Sequence, residues 1–247
     1  AEVRILDMQA EAPQPDRFRS EPPPDFIGLS ATTVLAESAY AVGDWLRSLW
    51  PGVPLVFGGV HATLLPQEIL NRFPDALVIR GEGERSMARL LAGHPYDDIK
   101  GLACLRDGAY WQHAETDTIE DLDRMPMPAY HLLPMKQYRA SLGGALRHPS
   151  MSIFSTRGCP GRCTFCNSAL TKRLRYRSAE NVVREIELLK RTFGVREIGF
   201  YDDTFCANPN RVREICRLLI ERRVNVTWSC MSRVNFADED TLRWMGR

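Results

Sequence analysis

The 247-residue sequence has no apolar run of about eighteen residues, so nothing in it reads as a membrane-crossing helix. It shows no charged-then-apolar leader, and the expectation is a soluble, cytoplasmic chain without a membrane span. An excess of one charge is missing too: 32 Lys and Arg face 31 Asp and Glu, a net charge of +1. That balance removes any whole-molecule attraction to nucleic acid or an anionic membrane, so no nucleic-acid partner is expected and anions must be recognised locally. The one basic run, "KRLRYR" at 172–177, is expected to be a loop neutralised by nearby carboxylates. Paired cysteines are absent as well. There are seven, an odd number, unevenly spaced in a chain far longer than a disulfide scaffold. This argues for a reducing compartment and for metal or redox chemistry.

What is there is an alternation of strand and helix signals, the pattern of parallel α/β folds. The chain starts at Ala1 within a strand-like run, "EVRILDMQ", and ends at Arg247 within a helical pattern, so it is expected to be part of a longer protein cut at both ends. After a proline-rich loop come the strand "FIGLSA" and a helix with Ala39, Val42, Leu46 and Leu49 on one face. "VPLVFGG", "PQEILNRF", "ALVIRG" and "ERSMARLLAG" repeat the unit, with Pro66 at a first turn and Gly93 as a stop. "GLACLRDGAYWQ" predicts a hairpin around Asp107-Gly108. Residues 1–116 therefore read as a doubly wound, flavodoxin-like (Rossmann-like) domain with a hairpin at its end, and the proline-interrupted residues 117–150 as a linker.

Residues 151–247 form a second block. "SIFSTR" is a strand running into the cysteine cluster, and Ser178 caps a helix with Val182, Ile186, Leu189 and Phe193 as its stripe. "EIGFYDD" is the next strand; Asn208-Pro209 opens a helix carrying Val212, Ile215, Leu219 and Ile220. "VNVTWSCMSR" is the third strand, with a helix from about Asp238. Three βα units in series predict the N-terminal half of a TIM-type α/β barrel, whose chemistry sits at the C-terminal ends of the strands. Cys159, the Asp202-Asp203 pair and the Ser232-Arg233 pair all fall at such ends.

Cys159, Cys163 and Cys166 are spaced C-x3-C-x2-C, with Pro160 and Gly161 in the turn. Thiolates suit zinc and iron-sulfur clusters. A structural zinc site closes with four ligands, usually as two pairs, and no second C-x2-C is present. An ordinary four-iron cluster also takes four cysteines. Three thiolates on such a cluster leave one iron open to a chelating substrate. A cluster, a zinc ion and unbound thiols are the three readings, the cluster leading. Cys104, Cys206, Cys216 and Cys230 read as small buried residues.

With Phe165 just before the last cysteine, in a loop after a barrel's first strand, this motif resembles the radical S-adenosylmethionine (SAM) superfamily. "STRGCPGRCTFC", "RYRSAENVVREIELL", "VREIGFYDDTF" and "TWSCMSRV" resemble its cobalamin-binding branch, and "FIGLSATT", "PGVPLVFGGVHAT" and "VIRGEGE" resemble that branch's cobalamin domain. The resemblance implies a 4Fe-4S cluster on Cys159, Cys163 and Cys166, SAM held near Phe165, Asp202, Asp203, Ser232 and Arg233, and cobalamin near Ser30, Thr32, Thr33, Gly58, Gly59 and His61. It assigns no residue as itself the catalyst. The domain's usual first strand and helix, and any D-x-H-x-x-G cobalt-ligating motif, are not found in these residues. "GEGERS" at 81–86 is no dinucleotide fingerprint, since Glu82 and Glu84 would repel a pyrophosphate.

The implied reaction is reductive cleavage of SAM to a 5'-deoxyadenosyl radical, used for cobalamin-dependent methyl transfer to an unactivated carbon. One alternative is a radical oxidative cyclase of the anaerobic tetrapyrrole type, the Mg-protoporphyrin ester cyclases. Another, of a different class, is a non-catalytic zinc or iron-sulfur binding module. Implied partners are a small-molecule, lipid or tetrapyrrole-like substrate and an electron donor such as flavodoxin or ferredoxin.

Overall fold

The computed structural model describes residues 2–8, 10, 11, 18, 21–138, 145–164, 166 and 173–247. They fall into two units, Gln14–Ile119, and Ala1–Pro13 with Glu120–Arg247.

The first unit contains β1 (Ile27–Ser30), α1 (Ala36–Leu49), β2 (Leu55–Gly58), α2 (Gly59–Leu64), α3 (Pro66–Arg72), β3 (Leu77–Ile79), α4 (Glu84–Leu91), β4 (Leu102–Arg106) and β5 (Ala109–Gln112). Its sheet runs in the order β1-β2-β3-β4-β5; the first three strands are parallel and the last two antiparallel. Parallel neighbours need a crossover, and the helices supply it. Successive side chains leave opposite faces of a strand, so Leu55 and Phe57 join Tyr40, Leu46, Ile69 and Phe73 on one face, while Val56 joins Leu77, Leu90 and Ile99 on the other. The expected hairpin forms: Asp107 (φ 51°) and Gly108 (φ 78°) both take the left-handed conformation that a two-residue turn requires.

Two expectations are corrected. The buried face of α1 is Ala36, Tyr40, Gly43 and Leu46, whereas Ala39, Val42 and Leu49 are only half-buried. The helix is turned because an aromatic pair packs over Gly43, where a Cβ would meet Phe73 Cζ at 3.1 Å. Residues 2–8 do not form the strand that "EVRILDMQ" suggests. An extended run needs a neighbour for its backbone groups; here the Asp7 carbonyl accepts from Ala10 and Glu11 N–H in a turn, and its carboxylate takes the Tyr138 hydroxyl at 2.6 Å.

The second unit contains β6 (Ser150–Ile153), β7 (Thr156–Arg157), β8 (Arg175–Tyr176), α5 (Ala179–Phe193), β9 (Glu197–Phe200), α6 (Pro209–Glu221), β10 (Thr227–Cys230) and α7 (Glu239–Met245). β6, β9 and β10 make a parallel sheet in the order β10-β9-β6, and β7 pairs antiparallel with β8. Ser178, Asn208 and Asp238 cap α5, α6 and α7, each side chain accepting an N–H three residues on. Val182, Ile186 and Leu189 of α5 pack with Val212, Ile215 and Leu219 of α6 on Ile153, Ile198 and Phe200. Each such side chain contributes roughly 1.5–3 kcal/mol on full burial. Ile220, expected in the α6 stripe, is 46% exposed, because the buried arc ends at Leu219. Cys104, Cys206 and Cys216 are buried and Cys230 is half-buried. Within the basic run, Arg173 pairs with Glu120 and Arg177 with Glu185.

Three strands do not close a barrel, and β6 and β10 are the edges of this open sheet. Among the described residues no helix is long and apolar enough to cross a membrane.

Candidate cofactor and metal sites

In the second unit the chain leaves β6, forms β7, and returns as β8 through the pairs Thr156–Tyr176 and Arg157–Arg175. This two-rung ladder brackets residues 158–174, the loop with the three cysteines. Its base is fastened from below. The Asp202 carboxylate, fully buried, accepts from Ser155 N–H at 2.7 Å, Thr156 N–H at 2.7 Å and the Ser155 hydroxyl at 2.5 Å. Arg211 then donates through Nη2 to Ser155 O at 2.9 Å and through Nε to Arg177 O at 2.7 Å. Burial pulls the Arg211 guanidinium down to about 10, with the Asp202 charge opposing the fall, so it stays charged at neutral pH. An acidic and a basic side chain, both far in sequence from the cysteines, thus hold the loop's stem.

On the loop itself, the Gly161 N–H donates to Cys159 Sγ at 3.4 Å. A Cβ built on Gly161 would meet Cys159 Sγ at 3.2 Å, Arg233 Nη1 at 3.5 Å and Cys163 Sγ at 3.9 Å. Two sulfurs and a guanidinium therefore converge on one side-chain-free position. Cys159 and Cys163 are half-buried and Cys166 is exposed; the Cys166 N–H reaches the Cys163 carbonyl at 3.1 Å. Among the described residues no three His, Cys, Asp or Glu side chains are gathered closely enough to hold a metal ion.

The donor set nevertheless suits an iron-sulfur cluster: three soft ligands, a backbone N–H directed at sulfur, and room where a side chain would intrude.

The residues expected around SAM separate. Phe165 lies outside the described residues. Asp202 is committed to the loop stem, with its oxygens taken by Ser155 and Thr156, whereas Asp203 is exposed. Ser232 Oγ accepts the Cys206 N–H at 3.2 Å, and Phe205 N–H donates to Met231 O, which ties the chain after β9 to the chain after β10. Arg233, exposed, stacks on Phe236 at 5.5 Å and reaches the Gly161 turn.

In the first unit, the loops after β1 and β2 are laced together. Ala31 N–H donates to Gly58 O at 3.4 Å, and His61 N–H to Ala31 O at 3.2 Å. Gly59 has φ +89°, and a Cβ there would meet Ser30 Oγ at 2.9 Å and Ala31 O at 3.0 Å, so conformation and space both require glycine. Ser30, Thr32 and Thr33 are exposed at the carboxyl end of β1, where sheets of this kind bind ligands.

His61 is placed differently from the rest. It lies in α2, only 3% exposed, with Tyr40 Oη 2.6 Å from Nε2 and Thr33 Oγ1 3.4 Å from Nδ1. Burial and the neighbouring Glu68 carboxylate together push the Tyr40 hydroxyl well above its ordinary value. Sequence reasoning missed Thr63, whose hydroxyl donates to Gly59 O at 2.8 Å and accepts Gly81 N–H at 2.9 Å, joining the loops after β2 and β3. It also missed Arg211, Tyr40 and Glu68. For Tyr40 a signal was available, because a tyrosine on a buried helix face needs a partner for its hydroxyl.

Residues 1–91 match the B12 binding domain family, and residues 153–244 match the radical SAM superfamily. An uncharacterised methyltransferase of Pyrococcus horikoshii is 34% identical over 230 residues, covering 90% of this chain and 49% of that protein. The anaerobic magnesium-protoporphyrin IX monomethyl ester cyclase of Cereibacter sphaeroides is 30% identical over 232 residues, covering 88% of this chain and 37% of that protein. The solved cobalamin-dependent S-adenosylmethionine radical enzyme OxsB, with aqua-cobalamin and S-adenosylmethionine bound, shares the fold at a TM-score of 0.81 and 20% identity, over 100% of this chain and 37% of that one. The chain thus spans about half the length, or less, of these relatives. With a B12-binding domain followed by a radical SAM domain, the chain is a B12-binding member of the radical SAM superfamily.

Proposed function

We propose that the whole protein is a cobalamin-dependent radical SAM enzyme that transfers a methyl group to an unactivated carbon. One observation carries this most: Cys159 and Cys163 sulfurs face the Gly161 turn beside Arg233, in a chain that also holds a B12-binding domain. Cys159, Cys163 and Cys166 would hold a 4Fe-4S cluster, and the three parallel βα units would be the start of a barrel around it. When bound, the cluster supplies reductive cleavage of SAM to a 5'-deoxyadenosyl radical, and cobalamin supplies methyl carriage.

The chain's own residues have narrower tasks. Asp202 and Arg211 hold the stem of the cysteine loop. Arg233 offers a guanidinium for the SAM carboxylate, and Asp203, with Ser232 close by in sequence to Arg233, is the exposed carboxylate for its ammonium. Phe165 is assigned to the adenine side. Ser30, Thr32, Thr33 and the Gly58-Gly59 turn would face cobalamin, with His61 behind them. A cytoplasmic setting, a flavodoxin or ferredoxin as electron donor, a small-molecule, lipid or tetrapyrrole-like substrate and no nucleic-acid partner complete the reading.

The test is anaerobic turnover of the complete protein with reductant, SAM and cobalamin. Uptake of cobalamin with formation of 5'-deoxyadenosine supports the proposal; absence of both cobalamin uptake and SAM cleavage refutes it. A ring-forming cyclase is the second reading, supported by the 30% identical Cereibacter protein. A bound product bearing a new ring and no added methyl would favour it.

A further inference from the structure

Four side chains from successive segments of the first unit make one hydrogen-bonded line: Glu68 on α3, Tyr40 on α1, His61 on α2 and Thr33 in the turn before α1. The Glu68 carboxylate can only accept, so the Tyr40 hydroxyl, 3.0 Å from Oε1, gives its single proton there. The same oxygen lies 2.6 Å from His61 Nε2 and has only lone pairs left for it. Nε2 must therefore carry the ring proton. In the neutral imidazole Nδ1 is then an acceptor, and the group facing it is the Thr33 hydroxyl at 3.4 Å. With the ring neutral, the Thr33 hydroxyl donates its proton to Nδ1 and keeps its lone pairs for another donor. Because His61 and Tyr40 are 3% and 4% exposed and locked among Phe57 and Phe73, the line has little freedom to reverse.

We infer that this Glu68–Tyr40–His61 relay positions Thr33 as a hydrogen-bond acceptor at the ligand face of the B12-binding domain, selecting a ligand N–H donor of the carboxamide class over an anionic oxygen. The inference rests on the cobalamin reading for the identity of the ligand, while the relay rests on geometry alone. His61 is thereby a positioning residue that need not touch the ligand.

Two measurements on the full chain test it. Nitrogen-15 NMR of the histidine ring, without ligand, should find Nε2 protonated and Nδ1 bare, and Tyr40→Phe should abolish that preference while circular dichroism shows the fold retained. Titration with aquacobalamin, followed by its absorbance, should show Thr33→Val weakening binding roughly three- to tenfold. Tyr40→Phe should weaken it by a similar factor, and the double variant by little more than either alone. An amide-to-carboxylate derivative of the corrin should lose this discrimination by Thr33. A ring protonated at Nδ1 or at both nitrogens, or additive effects of the two substitutions, would overturn the relay. Failure of the unaltered chain to bind aquacobalamin, with the tautomer as expected, would instead overturn the ligand assigned to Thr33 and the cobalamin reading beneath it.

Discussion

Asp202 and Ser155, 47 residues apart, meet twice: one carboxylate oxygen takes the Ser155 N–H at 2.7 Å and the other its hydroxyl at 2.5 Å. This fully buried contact joins the end of β9 to the start of the cysteine loop, and Arg211 completes it from α6. Asp202→Asn can keep an oxygen on the Ser155 and Thr156 N–H groups only by turning its N–H₂ toward the Ser155 hydroxyl, which must then reverse to accept, and it leaves the Arg211 charge poorly answered. The expected cost is roughly 3 kcal/mol in urea unfolding, together with reduced iron incorporation after reconstitution. Unchanged stability would show that the stem does not depend on this contact.

Gly161→Ala separates loop geometry from fold. Its methyl group would crowd Cys159 Sγ at 3.2 Å and Arg233 Nη1 at 3.5 Å. Iron affinity should fall on the order of tenfold, with global stability changed by no more than about 0.5 kcal/mol. Iron and sulfide analysis alongside thermal unfolding reads both.

Gly59→Ala does the reverse in the first unit, because the residue sits at φ +89° against Ser30 Oγ and Ala31 O. A loss of about 1–3 kcal/mol is expected, and aquacobalamin uptake should fall with it. An unaffected protein would mean that the loops after β1 and β2 can part without penalty.

Glu197 sets an acid limb to stability. Burial raises its carboxyl, but hydrogen bonds from Thr227 and from the Leu146 and Arg147 N–H groups outweigh this and hold it below the ordinary value of 4.5. A depressed carboxyl stabilises the fold above the unfolded value, and the contribution is lost as pH falls through the lower folded value. Urea midpoints should therefore drop below about pH 4.5, and Glu197→Gln should flatten that limb while lowering stability at neutral pH. An identical pH profile in the variant would remove Glu197 from the account.

How far the sequence carries depends on the range of the interaction. The caps at Ser178, Asn208 and Asp238, the Asp107-Gly108 turn and the cysteine spacing are local, since each is decided within a few residues, and all are legible. The alternation of strand and helix likewise announces an α/β chain. The facing of α1 was missed because Phe57 and Phe73, supplied by other elements, decide it. The strand imagined at residues 2–8 fails for want of a neighbour. Asp202 looks like a ligand-facing carboxylate when only its place after a strand is known; its burial depends on Ser155 and Arg211, which no spacing connects to it. His61 is similar. As a lone histidine after two glycines it resembles a pocket residue, and only the positions of Tyr40 and Glu68 reveal a relay.

The central claim is that Cys159, Cys163 and Cys166 hold a four-iron cluster with one iron open to SAM. Electron paramagnetic resonance of the anaerobically reconstituted, dithionite-reduced protein tests it most directly, with and without SAM and beside the triple Cys→Ala variant. The account predicts a four-iron signal that shifts when SAM is added and vanishes in the variant. A signal indifferent to SAM, or a protein that takes up zinc in place of iron, would contradict it.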